Sequence, residues 1–183
     1  MSRFLSDIFG STRSEAPRAA TSDGNEPSES RIRYRPRLVA ELAQEHEATC
    51  RHMRSLLDAC RSQDEDAQIA GLRNFAESFR RIALRKSVQL YPYLDWALEG
   101  DVTAITLFRS VRADVERCIL GIESILSDYL GGPWTREARH RFLTEVIRAA
   151  HLFGQVLRLE EPTLFPLYLP PGQASQITGK RPE

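Results

Sequence analysis

From Leu38 to about Leu164 the large apolar residues recur near the 3.6-residue period of an α-helix, the pattern of helices that bury one face. Leu42, His46, Thr49, Met53, Leu56 and Cys60 share the face of a first run. A second run carries Leu72, Phe75, Phe79, Ile82, Lys86 and Leu90 on one face, and a third Ile105, Phe108, Arg112, Val115, Ile119, Ile122 and Leu126. In the fourth, Phe142, Val146, Phe153, Val156, Glu160 and Leu164 line up. Short, turn-like breaks separate the runs at RSQDED, EGD and GGPW. Short links favour antiparallel neighbours, so the pattern predicts an all-α fold, an up-down-up-down antiparallel four-helix bundle over residues 37–170. Nothing in it asks for a strand.

Ahead of the bundle the pattern changes. Residues 11–36 are rich in Ser, Ala, Pro, Gly and acid, with too few large apolar residues to offset the cost of ordering, and read as a disordered linker. Before it, residues 1–10 form a short amphipathic segment in which Phe4, Leu5, Ile8 and Phe9 recur at helical spacing. Such a helix is too short to stand alone in water, so it docks back on the body, docks on a partner, or frays. Arg31, Arg33, Arg35 and Arg37 alternate, which in an extended segment places them on one side, able to grip phosphates or an acidic partner. A solvated lead-in, partly neutralised by Asp23, Glu26 and Glu29, is the more ordinary explanation. Residues 171–183 read as a flexible tail.

Composition narrows the function classes. The 183 residues carry 25 basic and 25 acidic side chains, so no global charge draws the chain to nucleic acid or to an anionic membrane. Cys50, Cys60 and Cys118 are an odd number without a close C-x-x-C pair, which suits neither a disulfide framework nor a zinc knuckle. No segment reads as a secretory leader or approaches the roughly 20 apolar residues of a membrane span. The expectation is a cytoplasmic protein. There is no Gly-rich phosphate loop and no G-x-S-x-G, and although Cys50 and His46 stand four apart on one helix no third group or oxyanion hole can be named for them, so an enzyme is not expected. Nearly all the basic residues are Arg, and Lys86 is the only Lys in the bundle region.

The ends of the second and fourth runs are alike: Leu90-Tyr91-Pro92-Tyr93-Leu94 against Leu164-Phe165-Pro166-Leu167-Tyr168. Two copies of a helix hairpin would produce this, as would two prolines each placed to stop a helix. A bundle with a helix ending in E-E-x-x-L-F-P resembles the haemerythrin-like, cation-binding HHE family of bacterial proteins among others, over about residues 38–169. The resemblance implies H-x-x-x-E ahead of L-[YF]-P on the second and fourth helices, with ligands from four helices around two iron ions. Carried onto this chain, the glutamate position of the fourth helix is Glu160, followed by Glu161, but its histidine position is Val156. On the second helix the two positions hold Lys86 and Ile82. His46 is suitably placed on the first helix, and Val115 stands near the matching point of the third. A lone His on an apolar face is commonly a hydrogen-bonded core residue.

The ligand positions thus imply a degenerate metal site with no cofactor, in which Lys86 and Glu160 form an ion pair beside His46, Ile82 and Val156. Lys86 reaching out to solvent is the other reading. The expected function is a regulatory or adaptor protein that binds another protein. More distantly the chain resembles the Rsd/AlgQ family of bacterial anti-sigma factors, through its length, the segment Leu72–Phe79 with its spaced Phe pair, and an acid-rich turn in the last helix. That resemblance implies a sigma factor of RNA polymerase as partner. Arg80, Arg81 and Arg85, with the apolar tip Phe4, Leu5, Ile8 and Phe9, are the candidate contacts. One alternative is a metal or oxygen sensor with a reduced site of His46, Glu160 and Glu161. Another is nucleic-acid binding through Arg31 to Arg37.

Overall fold

The computed structural model describes residues 32–171 and residue 173. The amphipathic segment with Phe4, Leu5, Ile8 and Phe9, Arg31, most of the 11–36 stretch and nearly all of the 171–183 tail lie outside the described residues.

Helix α1 runs Leu38–Ser62 and ends at Gln63, which takes a left-handed conformation with φ 58° and turns the chain. Asp64 then caps helix α2, Glu65–Arg85, by accepting a hydrogen bond from the Ala67 N–H. The second run does not stop at Pro92. A π turn, Lys86–Leu90, widens the helix so that the Tyr91 N–H bonds to the Lys86 carbonyl, and α3 continues over Tyr91–Ala97. In an unbroken α-helix, Pro92 would meet the carbonyl four residues back without an N–H to offer it. The wide turn removes that conflict. Asp101 caps helix α4, Val102–Gly131, through the N–H groups of Thr103 and Ala104. Thr135 caps α5, Arg136–Leu159, through the Ala138 N–H. A second π turn, Glu160–Leu164, and a single 3-10 turn, Phe165–Leu167, complete the last run.

No strand occurs among the described residues, and no helix there is long and apolar enough to cross a membrane. Helix α1 packs along α2 and against α5, while α4 packs along α5 and against α2. Gly71 allows the close approach of α1 and α2, since a Cβ there would lie 3.2 Å from the Leu56 Cα, whereas one on Gly121 would meet only the tip of the Leu152 side chain, 2.9 Å away. The periodic positions of all four runs are buried, save Arg112, whose guanidinium stays partly in solvent and lies 5.3 Å from the centre of the Tyr91 ring. Phe75, Phe79 and Phe153 meet ring to ring in the middle of the core.

The linker expected over 11–36 overlaps the described residues at 32–36, and there the chain is tied down. The Tyr34 ring stacks 5.2 Å from Tyr168 and the Arg35 N–H donates to the Tyr168 hydroxyl at 2.9 Å. The boundary of the folded body therefore lies ahead of residue 37, because three tyrosines, Tyr34, Tyr93 and Tyr168, bury one another's faces.

Candidate functional site

The two π turns face each other, and their first residues meet. Lys86 is 2% exposed and Glu160 is fully buried, so neither can be left without a partner. The Lys86 Nζ donates to the Glu160 Oε2 at 2.6 Å. The Tyr91 hydroxyl donates to the other oxygen, Oε1, at 2.5 Å. Each oxygen of this carboxylate, the one fully buried among the described residues, thus holds a donor. Burial, then the Glu160 charge, push the Tyr91 phenol well above its usual range, so it acts as a fixed donor. Ile82 and Val156, one helical turn before Lys86 and Glu160, are buried, as is Val115 on α4.

His46 reaches this cluster from α1. Its Nδ1 lies 2.8 Å from the Glu161 Oε1, its Nε2 lies 3.6 Å from the Glu160 Oε2, and Nε2 makes no hydrogen bond. Phe165 stacks on the ring at 5.7 Å and Phe153 meets it edge-on. Burial, and secondly the Lys86 charge, lower the His46 pKa to about 3, so the imidazole is neutral at physiological pH. In the tautomer that donates from Nδ1 to Glu161, the Nε2 lone pair is sealed inside the core. Glu161 is itself half exposed, and its carboxyl is held above the usual range by burial and by Glu160.

The donor set of a haemerythrin-like iron site is not met by these residues. His46, Glu160 and Glu161 are brought together, but the Lys86 ammonium already sits against Glu160 where a metal cation would bind, and would repel it. Val156 and Ile82 offer no ligand atom. Among the described residues no group of three or more His, Cys, Asp or Glu is arranged to hold a metal. What the arrangement does chemically is balance one buried carboxylate with an ammonium on one oxygen and a neutral phenol donor on the other, while keeping a neutral histidine beside it.

The surface candidates divide differently. Arg80 is held by both oxygens of Glu123 on α4, and Arg85 by Glu41 and Glu45 on α1, so these two charges brace neighbouring helices. Arg81 is exposed. Arg33, Arg35 and Arg37 are exposed as well, but Tyr34 between them is engaged with Tyr93 and Tyr168 and is not an open stacking platform.

Two participants escaped the pattern reading. Tyr91 was legible only as part of a helix-end motif, although a Tyr five residues after an inward Lys is a donor for the same partner once the turn is π-helical. Glu161 pairs with His46 with no metal between them, whereas its position after Glu160 suggests it only as a further ligand. Compared with known proteins, the chain matches no family model, no curated protein and no solved structure.

Proposed function

We propose that this chain is a non-catalytic regulatory or adaptor protein that acts by binding another protein, built on an up-down-up-down antiparallel bundle of haemerythrin type whose metal site has become an ion pair. The observation that carries this reading is Lys86 seated on Glu160 at 2.6 Å, with Tyr91 on the remaining oxygen. A cation carried by the chain itself stands where the resemblance calls for a bridging carboxylate and metal. The charge is thereby balanced without a cofactor, and the bundle serves as a scaffold for its surface. The partner contacts assigned by this reading are the apolar tip Phe4, Leu5, Ile8 and Phe9 and the exposed Arg81. A tip on a linker of this length raises the effective concentration of a second contact. The proposed partner class is a sigma factor of RNA polymerase.

The test is a capture experiment from native lysate with the full chain and with a chain lacking residues 1–30, followed by mass spectrometry. The reading expects one stoichiometric protein partner whose capture weakens on deletion. In parallel, the protein purified after growth with iron is expected to carry no stoichiometric iron and no iron-oxo absorption. Stoichiometric iron, or capture of nucleic acid in place of protein, overturns it.

A further inference from the structure

The outer face of the second helical run carries an exposed apolar stripe, of which the core meets Trp96 through the Tyr93 ring at 5.7 Å. Leu84, Val88 and Trp96 are exposed at 45%, 51% and 49%, and Pro92 continues the same four-residue spacing between them. A four-residue step slightly overshoots the 3.6-residue α turn and falls short of the wider π turn. The π turn at Lys86–Leu90 therefore keeps these positions in line, where a plain α-helix would carry them around the axis. Apolar side chains scattered singly over a surface need no explanation, but a contiguous strip marks an association site.

The strip ends in opposite charges. Arg81 lies one turn before Leu84 and Glu99 just beyond Trp96; both are exposed, and neither forms an ion pair among the described residues. The charges nearer the centre are already engaged, Arg85 by Glu41 and Glu45, and Asp95 by Arg109. Counted along the chain, Arg81 and Glu99 are equally far from Leu90, as are Leu84 and Trp96, and Val88 and Pro92. The strip is a palindrome of chemical type. A two-fold axis through its middle would set basic against acidic ends and apolar against apolar centres, which is what an isologous contact requires.

We propose that this strip is the interface of a homodimer, in which two copies of the second run cross antiparallel. Leu84 of each copy lies on the partner's Trp96, and Arg81 of each faces the partner's Glu99. Like charges would meet if the copies docked in parallel, so the two ends also select the orientation. A contact made by one helix strip from each copy is at the small end of protein interfaces, so the dimer is reversible and concentration-dependent.

Sedimentation equilibrium on the purified full chain tests this without any other partner, so it stands or falls separately from the function proposed above. The mass is expected to rise with concentration from 20.8 kDa towards twice that value. Arg81→Glu and Glu99→Arg each place like charges together at both ends, and each is expected to weaken self-association at least about tenfold. Mixed in equal amounts, the two variants are expected to associate again, because each end of the mixed dimer then pairs opposite charges. Leu84→Glu abolishes association, with circular dichroism confirming that the helices persist. A mass of 20.8 kDa at every concentration overturns the proposal. So does a dimer that the three variants leave untouched, or a pair of charge-reversed variants that stay apart when mixed. A chain that dimerises only after residues 1–31 are deleted places its own arm on the strip, and overturns the full-chain dimer too.

Discussion

The two π turns use one backbone device for two ends. In each, the residue after the turn bonds back five positions, Tyr91 to Lys86 and Phe165 to Glu160, and in each a proline follows directly. What differs is what comes next and what points inward. After Pro92 the chain holds Leu94 and Ala97 with no further proline and stays helical to Ala97. After Pro166 it meets Pro170 and Pro171, which deny N–H donors and push the preceding residue off helical angles, so the run closes after one 3-10 turn. The first turn delivers a cation and the second an anion, and the buried charge is balanced only across the two. Neither half of the molecule can satisfy its own turn.

The strongest way to break this comparison is to remove one side of it. Lys86→Met leaves Glu160 buried with a single donor, and a broken buried pair typically costs about 3–5 kcal/mol. Adding Glu160→Leu removes the orphaned charge and is expected to recover much of that loss, although the Tyr91 hydroxyl is then left without its acceptor. Tyr91→Phe on top of both should recover part of the remainder. Urea-unfolding midpoints of the single, double and triple variants measure the series. Equal losses in the single and double variants would show that the ammonium and carboxylate do not depend on each other.

A second test uses His46, the group between the second turn and α1. Its folded pKa is lowered to about 3 from an ordinary 6.5, by burial first and by Lys86 second. Between those values the unfolded chain binds a proton that the folded chain refuses, so stability falls as pH drops through that window, by up to about 1.4 kcal/mol per pH unit. Above the ordinary value neither state binds the proton and the contribution is flat. Glu161 acts in the opposite sense: its folded carboxyl is raised, so the folded state takes up its proton first and gains stability relative to the unfolded chain as pH falls. Measured in a Glu161→Gln background to remove that contribution, His46→Gln is expected to flatten the loss between pH 6.5 and 4.5. An unchanged slope would mean that His46 is charged in the folded protein.

Tyr91 and Phe165 stand at matching points of the two turns, and sharpen the comparison further. One donates to Glu160; the other stacks on His46. Tyr91→Phe makes the two turns alike and strips the Glu160 Oε1 of its donor, a loss of about 1–3 kcal/mol by the cost of an unsatisfied buried acceptor. Chemical denaturation reads it directly, and a change below a few tenths would show that Lys86 alone satisfies the carboxylate.

Much of this was legible before any coordinates. The 3.6-residue period marked which side of each run is buried, since burial follows from apolar spacing, and the breaks at RSQDED, EGD and GGPW marked where the runs end. The same period placed Lys86 and Glu160 on the apolar faces, but it did not bury them: Arg112 is equally in phase and keeps its guanidinium partly in solvent, so the pairing rested on the resemblance. The π turns did not follow. An extra residue in a helical turn shifts phase by less than the tolerance of an apolar face, so Leu90 and Leu164 look in phase either way. For the same reason Tyr91 was invisible as a donor. The pairing of Arg85 with Glu41 and Glu45 depends on which helix lies beside which, and intra-helix spacing carries no such information.

The last contrast concerns how the two turns are finished, and it predicts the smallest effect. The first is steadied by its own continuation through α3, whereas the second leans on the segment ahead of α1, where the Arg35 N–H donates to the Tyr168 hydroxyl and Tyr34 stacks on the Tyr168 ring. Tyr168→Phe keeps the ring and removes only the acceptor, so the loss is that of one ordinary hydrogen bond, about 0.5–1.5 kcal/mol. Its location is more telling than its size. Hydrogen exchange is expected to quicken at the Arg35 and Tyr168 amides, which sit on either side of the lost contact, while amides within Tyr91–Ala97 keep their protection. Loosening of both ends together would mean that the Tyr34, Tyr93 and Tyr168 rings bind the two turns into one cooperative unit.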